Sequence, residues 1–271
     1  MNRMANILVG TCGWSYPAWT GVFYPKGVTA GQMLSYYAEH YPIVEVDSTF
    51  YASPRPKMVE GWRDKTPESF KFSLKVPQVI THEKLLLDCQ KELYEFLGAA
   101  RILGEKLLCC VLQFGFFKSN VFASLNAFVE RLEPFLKLWP KDIPLAVEIR
   151  NEYWMKKEFR EFLRQHGITW VLADQAWMPM PEEMVAKFDA ITGPFGYIRL
   201  LGDRKAVDEL TPTLNKTVID RTEQIQSSAR AAKLMAIKVP VVVFVNNHFS
   251  GYAHDTVREL LNALAEKATP F

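Results

Sequence analysis

The stretch FKFSLKV, residues 70–76, alternates apolar and polar residues without a break. Successive side chains of a strand point to opposite faces, so the apolar residues share one face and Lys71, Ser73 and Lys75 share the other. The apolar face is expected to meet a layer of helices, which leaves the lysine face for the interior of a closed sheet. The stretch therefore predicts a strand of a barrel with a charged interior, whereas a purely structural barrel is usually filled with Val, Ile and Leu.

Apolar, β-branched segments like this one recur along the chain, and most are followed by residues with helical spacing. The eight predicted strands are Ile7–Thr11, Ile43–Asp47, Phe70–Lys75, Leu107–Gln113, Leu145–Ile149, Thr169–Asp174, Gly196–Leu201 and Val241–Asn246. The predicted helices include Ala30–His40, Asp88–Leu103, Val121–Leu138, Lys156–His166, Val218–Ile237 and Asp255–Ala265. Strand–helix alternation favours parallel strands, and eight of them favour closure. We predict an α/β fold, a single (β/α)₈ TIM-type barrel domain over residues 1–271 with outer helices.

Two connections after predicted strands are longer than a barrel needs. Residues 176–194 contain two Met-Pro pairs, and residues 202–216 are rich in charge. Both would lie at the carboxyl ends of the strands, where long loops often act as lids. Ordinary insertions with some structure of their own are an equal alternative. An open, dinucleotide-binding sheet is disfavoured, because residues 10–13, GTCG, do not form the glycine fingerprint of that fold.

The composition excludes several classes of protein. The 271 residues are 49% hydrophobic and carry a net charge of +2, which gives no strong field for nucleic acid or membranes. The longest apolar run, residues 239–245, is too short to cross a bilayer, and residues 1–10 lack a secretory signal. The four cysteines form no CxxC pair, which is typical of reduced thiols. We expect a cytoplasmic protein without membrane contact, and the sequence leaves its oligomeric state open.

The alternation of side chains along each strand predicts that charged residues of both signs face the barrel interior or lie at the ends of strands. The acidic ones are Glu45, Asp47, Glu148 and Asp174, and the basic ones are Lys71, Lys75, Arg150 and Arg199. Isolated buried charges are unfavourable, so these groups are expected to pair with one another or with a ligand. Convergent arginines favour a planar anion, phosphate or carboxylate. A network with a purely structural role is the alternative, and Lys71, which should lie deeper, fits it best.

Aromatic residues follow several of the predicted strands. They include Trp14, Tyr16 and Trp19 after the first strand, Phe50 and Tyr51 after the second, Phe116 and Phe117 after the fourth, Tyr153 and Trp154 after the fifth, and Phe249 and Tyr252 after the eighth. Such a rim could stack on a sugar or a base. Packing between the loops themselves explains the same pattern equally well.

Five motifs in this order resemble one family. They are GTCGWSY at 10–16, EVDSTFY at 45–51, ITH at 80–82, EIRN at 148–151 and NNH at 246–248. Over nearly the whole chain the sequence resembles the domain of unknown function 72 family, also called YecE-like. The resemblance implies a TIM-type barrel and no established reaction. The matching positions that alternation also places inside or at the rim are Glu45, Thr49, Tyr51, His82, Glu148, Arg150, Asn246, Asn247 and His248.

General acid–base chemistry on a small phosphorylated or carboxylated substrate fits these residues best. The candidate proton-transfer residues are Glu148, His248, Asp174 and His82. The candidate ligand-binding residues are Lys75, Arg150 and Arg199 for the anion, with Glu45, Asp47, Thr49, Tyr51, Trp14, Asn246 and Asn247 around them. A divalent metal on Glu45, Glu148, Asp174 and His248 is possible but not required, and the sequence leaves any other cofactor unknown. A barrel that binds a metabolite or a nucleic acid end without turnover is the alternative function.

Overall fold

The computed structural model describes residues 6–266 and confirms the predicted barrel. Its strands are β1 Ile7–Cys12, β2 Ile43–Val46, β3 Lys71–Lys75, β4 Leu107–Gln113, β5 Leu145–Glu148, β6 Thr169–Gln175, β7 Gly196–Gly202 and β8 Val241–Val245. The strands follow one another around the barrel in chain order, and β8 pairs with β1 to close it. Every neighbouring pair is parallel. All eight carboxyl ends therefore meet at one end of the barrel.

The helices surround the barrel in the order that the alternation predicted. They are α1 Ala30–His40, α2 Pro56–Asp64, α3 Gln90–Arg101, α4 Leu125–Leu136, α5 Lys157–Gln165, α6 Pro181–Phe188, α7 Arg204–Leu210, α8 Thr222–Met235 and α9 Ala253–Ala265. Six match predicted helices within a few residues, whereas α2, α6 and α7 were not predicted. α6 and α7 lie within the two long connections, for which some structure of their own was one of the two expectations. None of the helices between residues 6 and 266 has the length and hydropathy to cross a membrane.

The hydrophobic core has two parts, one on the outer face and one on the inner face of the strands. Outward residues such as Val44, Phe72 and Leu74 contact the helices. A separate apolar cluster fills the barrel interior below the strand ends, and it comprises Cys12, Ile43, Cys109, Val111, Ala146, Val171, Phe195, Tyr197, Val242 and Phe244. The paired charges of Glu45, Glu148 and Arg199 lie above this cluster, toward the carboxyl end of the barrel.

Lys71 corrects one detail of the predicted interior network. It begins β3, so it lies at the amino end of the barrel, where it is partly exposed. Its ammonium donates a hydrogen bond to the backbone carbonyl of Glu105. The Lys71 ammonium is therefore hydrogen-bonded at the amino end of the barrel, opposite the end that holds the other interior cations.

One histidine outside the predicted site, His254, lies in the interior of the protein. It is buried near the start of α9, its ring stacks on Phe23 at 3.8 Å, and Nδ1 lies 2.6 Å from the Tyr41 hydroxyl. Burial lowers the pKa of His254 to about 3. The histidine therefore packs as a neutral aromatic side chain between the loop after β1 and α9.

Candidate functional site

A cavity of about 720 Å³ opens at the carboxyl ends of the strands. Strand ends and the loops that follow them supply its walls. The acidic, basic and histidine residues of the wall are Asp47, Lys75, His82, Arg150, Arg199, Arg204 and His248. A pocket at this end of a parallel barrel is where enzymes of the fold carry out their chemistry.

Six charged residues form a connected charge network in and beneath the cavity: Glu45, Asp47, Lys75, Glu148, Arg150 and Arg199. Arg199, on β7, is its centre. Its guanidinium lies 2.5 Å from Glu45, 2.5 Å from Glu148 and 3.3 Å from Asp47. These contacts join β2, β5 and β7 across the barrel interior. The predicted convergence of charges is therefore present, with opposite charges paired as burial requires.

Arg199 has little capacity left for a ligand. It is almost completely buried, and its nitrogens make four hydrogen bonds to the three carboxylates. Glu45 is held further by the Tyr197 hydroxyl, which donates to Oε2 at 2.5 Å. Arg199 thus holds carboxylates in this structure, and its predicted part in binding an anion stays a prediction.

Glu148 lies beneath the cavity and not in its wall. Its side chain has no exposed surface and accepts hydrogen bonds from Arg199 and Arg150. Burial by itself would raise the pKa of Glu148, but the two guanidinium groups outweigh it and lower the pKa to about 2. A carboxylate that is ionised at every physiological pH and out of reach of the cavity is poorly placed to transfer protons.

Asp174 lies outside the cavity, on the opposite face of β6. It pairs with the outward residue Leu200, whereas its neighbour Ala173 pairs with the inward Arg199. The prediction placed Asp174 in the site only because it ends a strand, and strand alternation contradicts that placement. Burial raises the pKa of Asp174 to about 6, with Arg221 acting in the opposite direction. Its Oδ2 has no hydrogen-bond partner among residues 6–266.

Two cations present open donors to the cavity. Arg150 uses Nε for Glu148, at 2.8 Å, and its two terminal nitrogens have no hydrogen-bond partner in the described part of the chain. The Lys75 ammonium lies 3.8 Å from Asp47 and 4.0 Å from the centre of the Phe50 ring. Burial lowers the pKa of Lys75, and Asp47 opposes this effect. Arg150 and Lys75 are therefore the groups available to an incoming anion.

His82 lies beside these cations, in a short helical turn after β3. Its Nδ1 lies 2.7 Å from the Thr81 hydroxyl, and Nε2 has no partner between residues 6 and 266. Burial lowers the pKa of His82, and the charges of Lys75 and Arg150 lower it further. A neutral imidazole with one nitrogen free in the cavity is suited to accept or donate a proton.

His248 is more constrained. Its Nδ1 lies 3.0 Å from Oδ1 of Asn246, and its Nε2 lies 3.1 Å from Oδ1 of Asp208 on α7. Burial lowers the pKa of His248, although Asp208 favours the protonated form. Proton transfer by His248 would first require release of Asp208. The contact also connects the cavity to the unpredicted helix α7, the part of the long 202–216 connection that reaches the site.

The remaining predicted ligand residues divide into two groups. Trp14, Tyr51 and Asn246 line the cavity. Thr49 instead donates to the carbonyls of Val46 and Lys75, and buried Asn247 accepts from the backbone of Ala253. Both of these side chains shape loops and do not face a ligand.

Sequence reasoning missed several residues of the cavity wall: Gln78, Gln113, Gln175 and Arg204. Gln113 and Gln175 end strands, and strand alternation applied to β4 and β6 would have found them. Arg204 and its neighbour Asp208 lie on α7, for which no sequence pattern gave a signal.

The predicted metal ligands are not brought together, because Asp174 faces outward and His248 contacts Asp208. Donor atoms of Cys12, Glu45 and Asp47 do lie within 4.8 Å of one another. The cation between those two carboxylates is the Arg199 guanidinium. Burial raises the pKa of Cys12, which also disfavours a thiolate nucleophile.

Fold and cavity together define a TIM-type barrel with a charged pocket at the carboxyl ends of its strands. The chain belongs to the family described as "Protein of unknown function DUF72", whose model matches residues 8–270. The UPF0759 protein YecE of Escherichia coli strain K12 is 30% identical over 174 residues, which are 62% of this chain and 59% of that protein. The chain thus matches less than two thirds of the length of this relative.

Solved structures of the same family share the fold. A DUF72 family protein from Thermotoga maritima has a TM-score of 0.76 at 28% identity, over 96% of this chain and 99% of that one. A DUF72 family protein from Enterococcus faecalis has a TM-score of 0.73 at 23% identity, over 97% of both chains. The family resemblance in the sequence motifs is therefore confirmed.

Proposed function

We propose that the chain is an enzyme that acts on a small anionic substrate, phosphorylated or carboxylated, by general acid–base chemistry in this cavity. One observation carries the proposal. The terminal nitrogens of Arg150, the ammonium of Lys75 and the free Nε2 of His82 line the same cavity, and none has a hydrogen-bond partner among residues 6–266. Open cationic donors beside a titratable imidazole are the parts that such chemistry needs.

In the proposed site, Arg150 and Lys75 hold the anionic group and His82 transfers the proton. Arg150 is oriented from below by Glu148, which fixes one edge of the guanidinium and leaves the other edge for bidentate binding. Glu148 is thus a positioning residue. Trp14 and Tyr51, at the rim, would contact the less polar part of the substrate.

Titration calorimetry with inorganic phosphate tests the anion site. Wild type is expected to bind phosphate, and Arg150→Ala is expected to weaken that binding by about tenfold or more, the effect of losing about 1.4 kcal/mol or more of charge-assisted hydrogen bonding. Arg101→Ala is the matched control, because Arg101 pairs with Asp142 on the surface. Equal phosphate affinity of wild type and Arg150→Ala would show that the anion site is wrongly assigned.

A screen of phosphorylated and carboxylated metabolites tests turnover. Replacing His82 by Asn is expected to retain phosphate binding and to lower turnover by roughly 10²-fold or more, the usual contribution of a general acid or base. Full activity of this variant would remove His82 from the mechanism.

A second candidate is a barrel that binds an anionic metabolite or a nucleic acid end without turnover. Both oxygens of Glu45 and both of Glu148, two fully buried carboxylates, accept hydrogen bonds. These carboxylates are therefore not free to transfer protons to a ligand, which favours binding without turnover. Exposed aromatic side chains at the rim, Tyr51 and Trp177, could stack on a base. Phosphate binding without turnover of any compound in the screen would support this candidate.

A further inference from the structure

We propose that Lys75 is a nucleophile that forms an imine with an aldehyde or ketone carrying a carboxylate or phosphate group. The inference rests on the proposed function, because it requires Arg150 to hold the anionic end of the same substrate. It narrows the substrate class from small anions to anionic carbonyl compounds. It also replaces the anion-binding role of Lys75 with a covalent one, and leaves the anionic end of the substrate to Arg150.

The surroundings of Lys75 differ from those of the other well-buried lysine. Lys106 has 4% of its side chain exposed, and its ammonium donates to the carbonyls of Arg63 and Thr66, both at 2.7 Å. Lys75 has 11% exposed, and its ammonium makes no hydrogen bond within the described residues. An ammonium that is largely removed from water and makes no hydrogen bond is disfavoured relative to the neutral amine.

The charges around Lys75 act in both directions. Asp47, at 3.8 Å, favours the ammonium, as do the face of the Phe50 ring, at 4.0 Å, and the charges of Glu148 and Glu45. Burial and Arg199 favour the neutral amine, and burial is the largest effect, so the pKa of Lys75 is lowered. An amine that loses its proton more readily than an ordinary lysine is the activated form for attack on a carbonyl carbon.

The geometry supplies a route for the protons. The charges of Lys75 and Arg150 both lower the pKa of His82, and all three residues line one cavity. The Lys75 ammonium first gives one proton to His82. The neutral amine then bonds to the carbonyl carbon, and a second proton passes from nitrogen to the carbonyl oxygen. His82 returns its proton to the resulting hydroxyl, the carbon–oxygen bond breaks and water leaves, and the nitrogen keeps its third proton in the imine, so that no oxidant or reductant is required.

The resulting protonated imine would draw electrons from the carbon next to it. A proton or a carbon–carbon bond at that position is then broken more easily, and His82 is the neighbouring group that accepts a proton. Aldol-type cleavage or proton removal next to a carbonyl is therefore the reaction class assigned to the cavity.

Reductive trapping tests the inference. The full chain is incubated with pyruvate, glyoxylate or dihydroxyacetone phosphate in the presence of cyanoborohydride, and the adduct is located by mass spectrometry of peptides. The expected result is a reduced adduct at Lys75 that is lost in Lys75→Arg and suppressed by excess phosphate. Lys71→Arg is the matched control, since Lys71 lies on the same strand and face but outside the cavity, and it should retain the adduct.

The outcomes separate this inference from the proposed function. If phosphate binds in an Arg150-dependent manner but no probe labels Lys75, the nucleophile is wrongly assigned and the anion site stands. If phosphate does not bind while propanal, a neutral aldehyde, still labels Lys75 in preference to other lysines, the anion site is wrong and the reactive lysine stands. Labelling spread evenly over surface lysines, or retained in a folded Lys75→Arg, overturns the inference.

Discussion

Arg150 donates a hydrogen bond of 2.8 Å from Nε to Oε1 of Glu148, the residue that ends β5. The two residues face the same side of the strand because they are two positions apart. The carboxylate is completely buried, whereas the arginine is about one fifth exposed and reaches the cavity. A buried acid therefore sets the orientation of the one guanidinium in the charge network that has open donors.

The first prediction concerns Glu148. Changing Glu148 to Gln should lower the free energy of unfolding by about 3–5 kcal/mol, because Arg199 and Arg150 lose a buried counter-charge. Urea denaturation measures the change. Glu152→Gln is the control, since Glu152 is exposed in the next loop and its replacement should change stability by less than about 0.5 kcal/mol. If the two variants are equally stable, the ion pairs contribute no stability.

A second prediction concerns the hydroxyl of Tyr197, which contacts Glu45 at 2.5 Å and Ser73 at 2.8 Å. Tyr197→Phe should lower the free energy of unfolding by about 1.5–3 kcal/mol, the range for a hydrogen bond to a charged group. Thermal unfolding of this variant is compared with Tyr153→Phe, whose hydroxyl is on an exposed side chain. A similar melting temperature for both variants would contradict the role assigned to Tyr197.

The third prediction concerns the titration of His82. Nuclear magnetic resonance should find its pKa below the usual 6.5, because burial and two nearby cations disfavour the imidazolium. Bound phosphate should raise this pKa, since an anion beside the ring favours the charged form. The resonance of His166, exposed after α5, should not respond to phosphate. A pKa that phosphate leaves unchanged would place the anion away from His82.

The fourth prediction concerns pH and Asp174. The pKa of this carboxyl rises from 3.8 in its ordinary state to about 6 in the folded protein, so the folded state binds the proton more tightly. Its contribution to stability is present below about pH 4 and is lost as pH rises through 6. Asp174→Asn should therefore raise the free energy of unfolding at pH 7.5 by up to about 3 kcal/mol.

The higher free energy of unfolding of Asp174→Asn should disappear near pH 4, where the wild-type carboxyl is protonated in the folded protein. Urea denaturation of the variant and of wild type across the pH range measures this difference. A stability difference that stays constant with pH would show that burial does not alter this group.

A fifth prediction contrasts two glycines. A Cβ at Gly10 would lie 2.2 Å from the carbonyl oxygen of Ile43, so Gly10→Ala should force β1 and β2 apart and destabilise the barrel. A Cβ at Gly61, inside α2, would meet no atom within 4 Å. Gly61→Ala should therefore stabilise the protein by roughly 0.5–1 kcal/mol through better helix formation. Chemical denaturation should show that Gly10→Ala lowers the free energy of unfolding and that Gly61→Ala raises it. Changes of the same sign in both variants would refute the explanation.

Strand alternation predicted most of the fold and the centre of the site from the sequence. It is a local property of backbone geometry, so it placed Glu45, Lys75, Glu148 and Arg199 inside the barrel without knowledge of their partners. It could not predict depth, since the distance of a side chain from the cavity depends on how far each strand extends. Glu148 was therefore expected in the wall and lies beneath it.

The sequence predicted that these charges would pair, but it did not show which residue pairs with which. Nothing in a strand pattern shows that carboxylates of two other strands converge on Arg199. His248 was predicted as a free acid or base, and its contact with Asp208 depends on the short helix α7. Both differences come from contacts between residues that are distant in the chain, at positions where the local pattern carries no information.

The position of Arg199 has a consequence for any attempt to divide the barrel into halves. A cut between β4 and β5 would leave Glu45 and Asp47 on one fragment and Glu148 and Arg199 on the other. The first fragment would hold Glu45 and Asp47 without Arg199, with only Lys75 beside Asp47, and the second would hold a guanidinium without two of its three carboxylates. Neither half could bury its strand ends by itself. The two fragments should instead recognise each other when mixed, and reassembly should weaken as added salt screens the attraction between them.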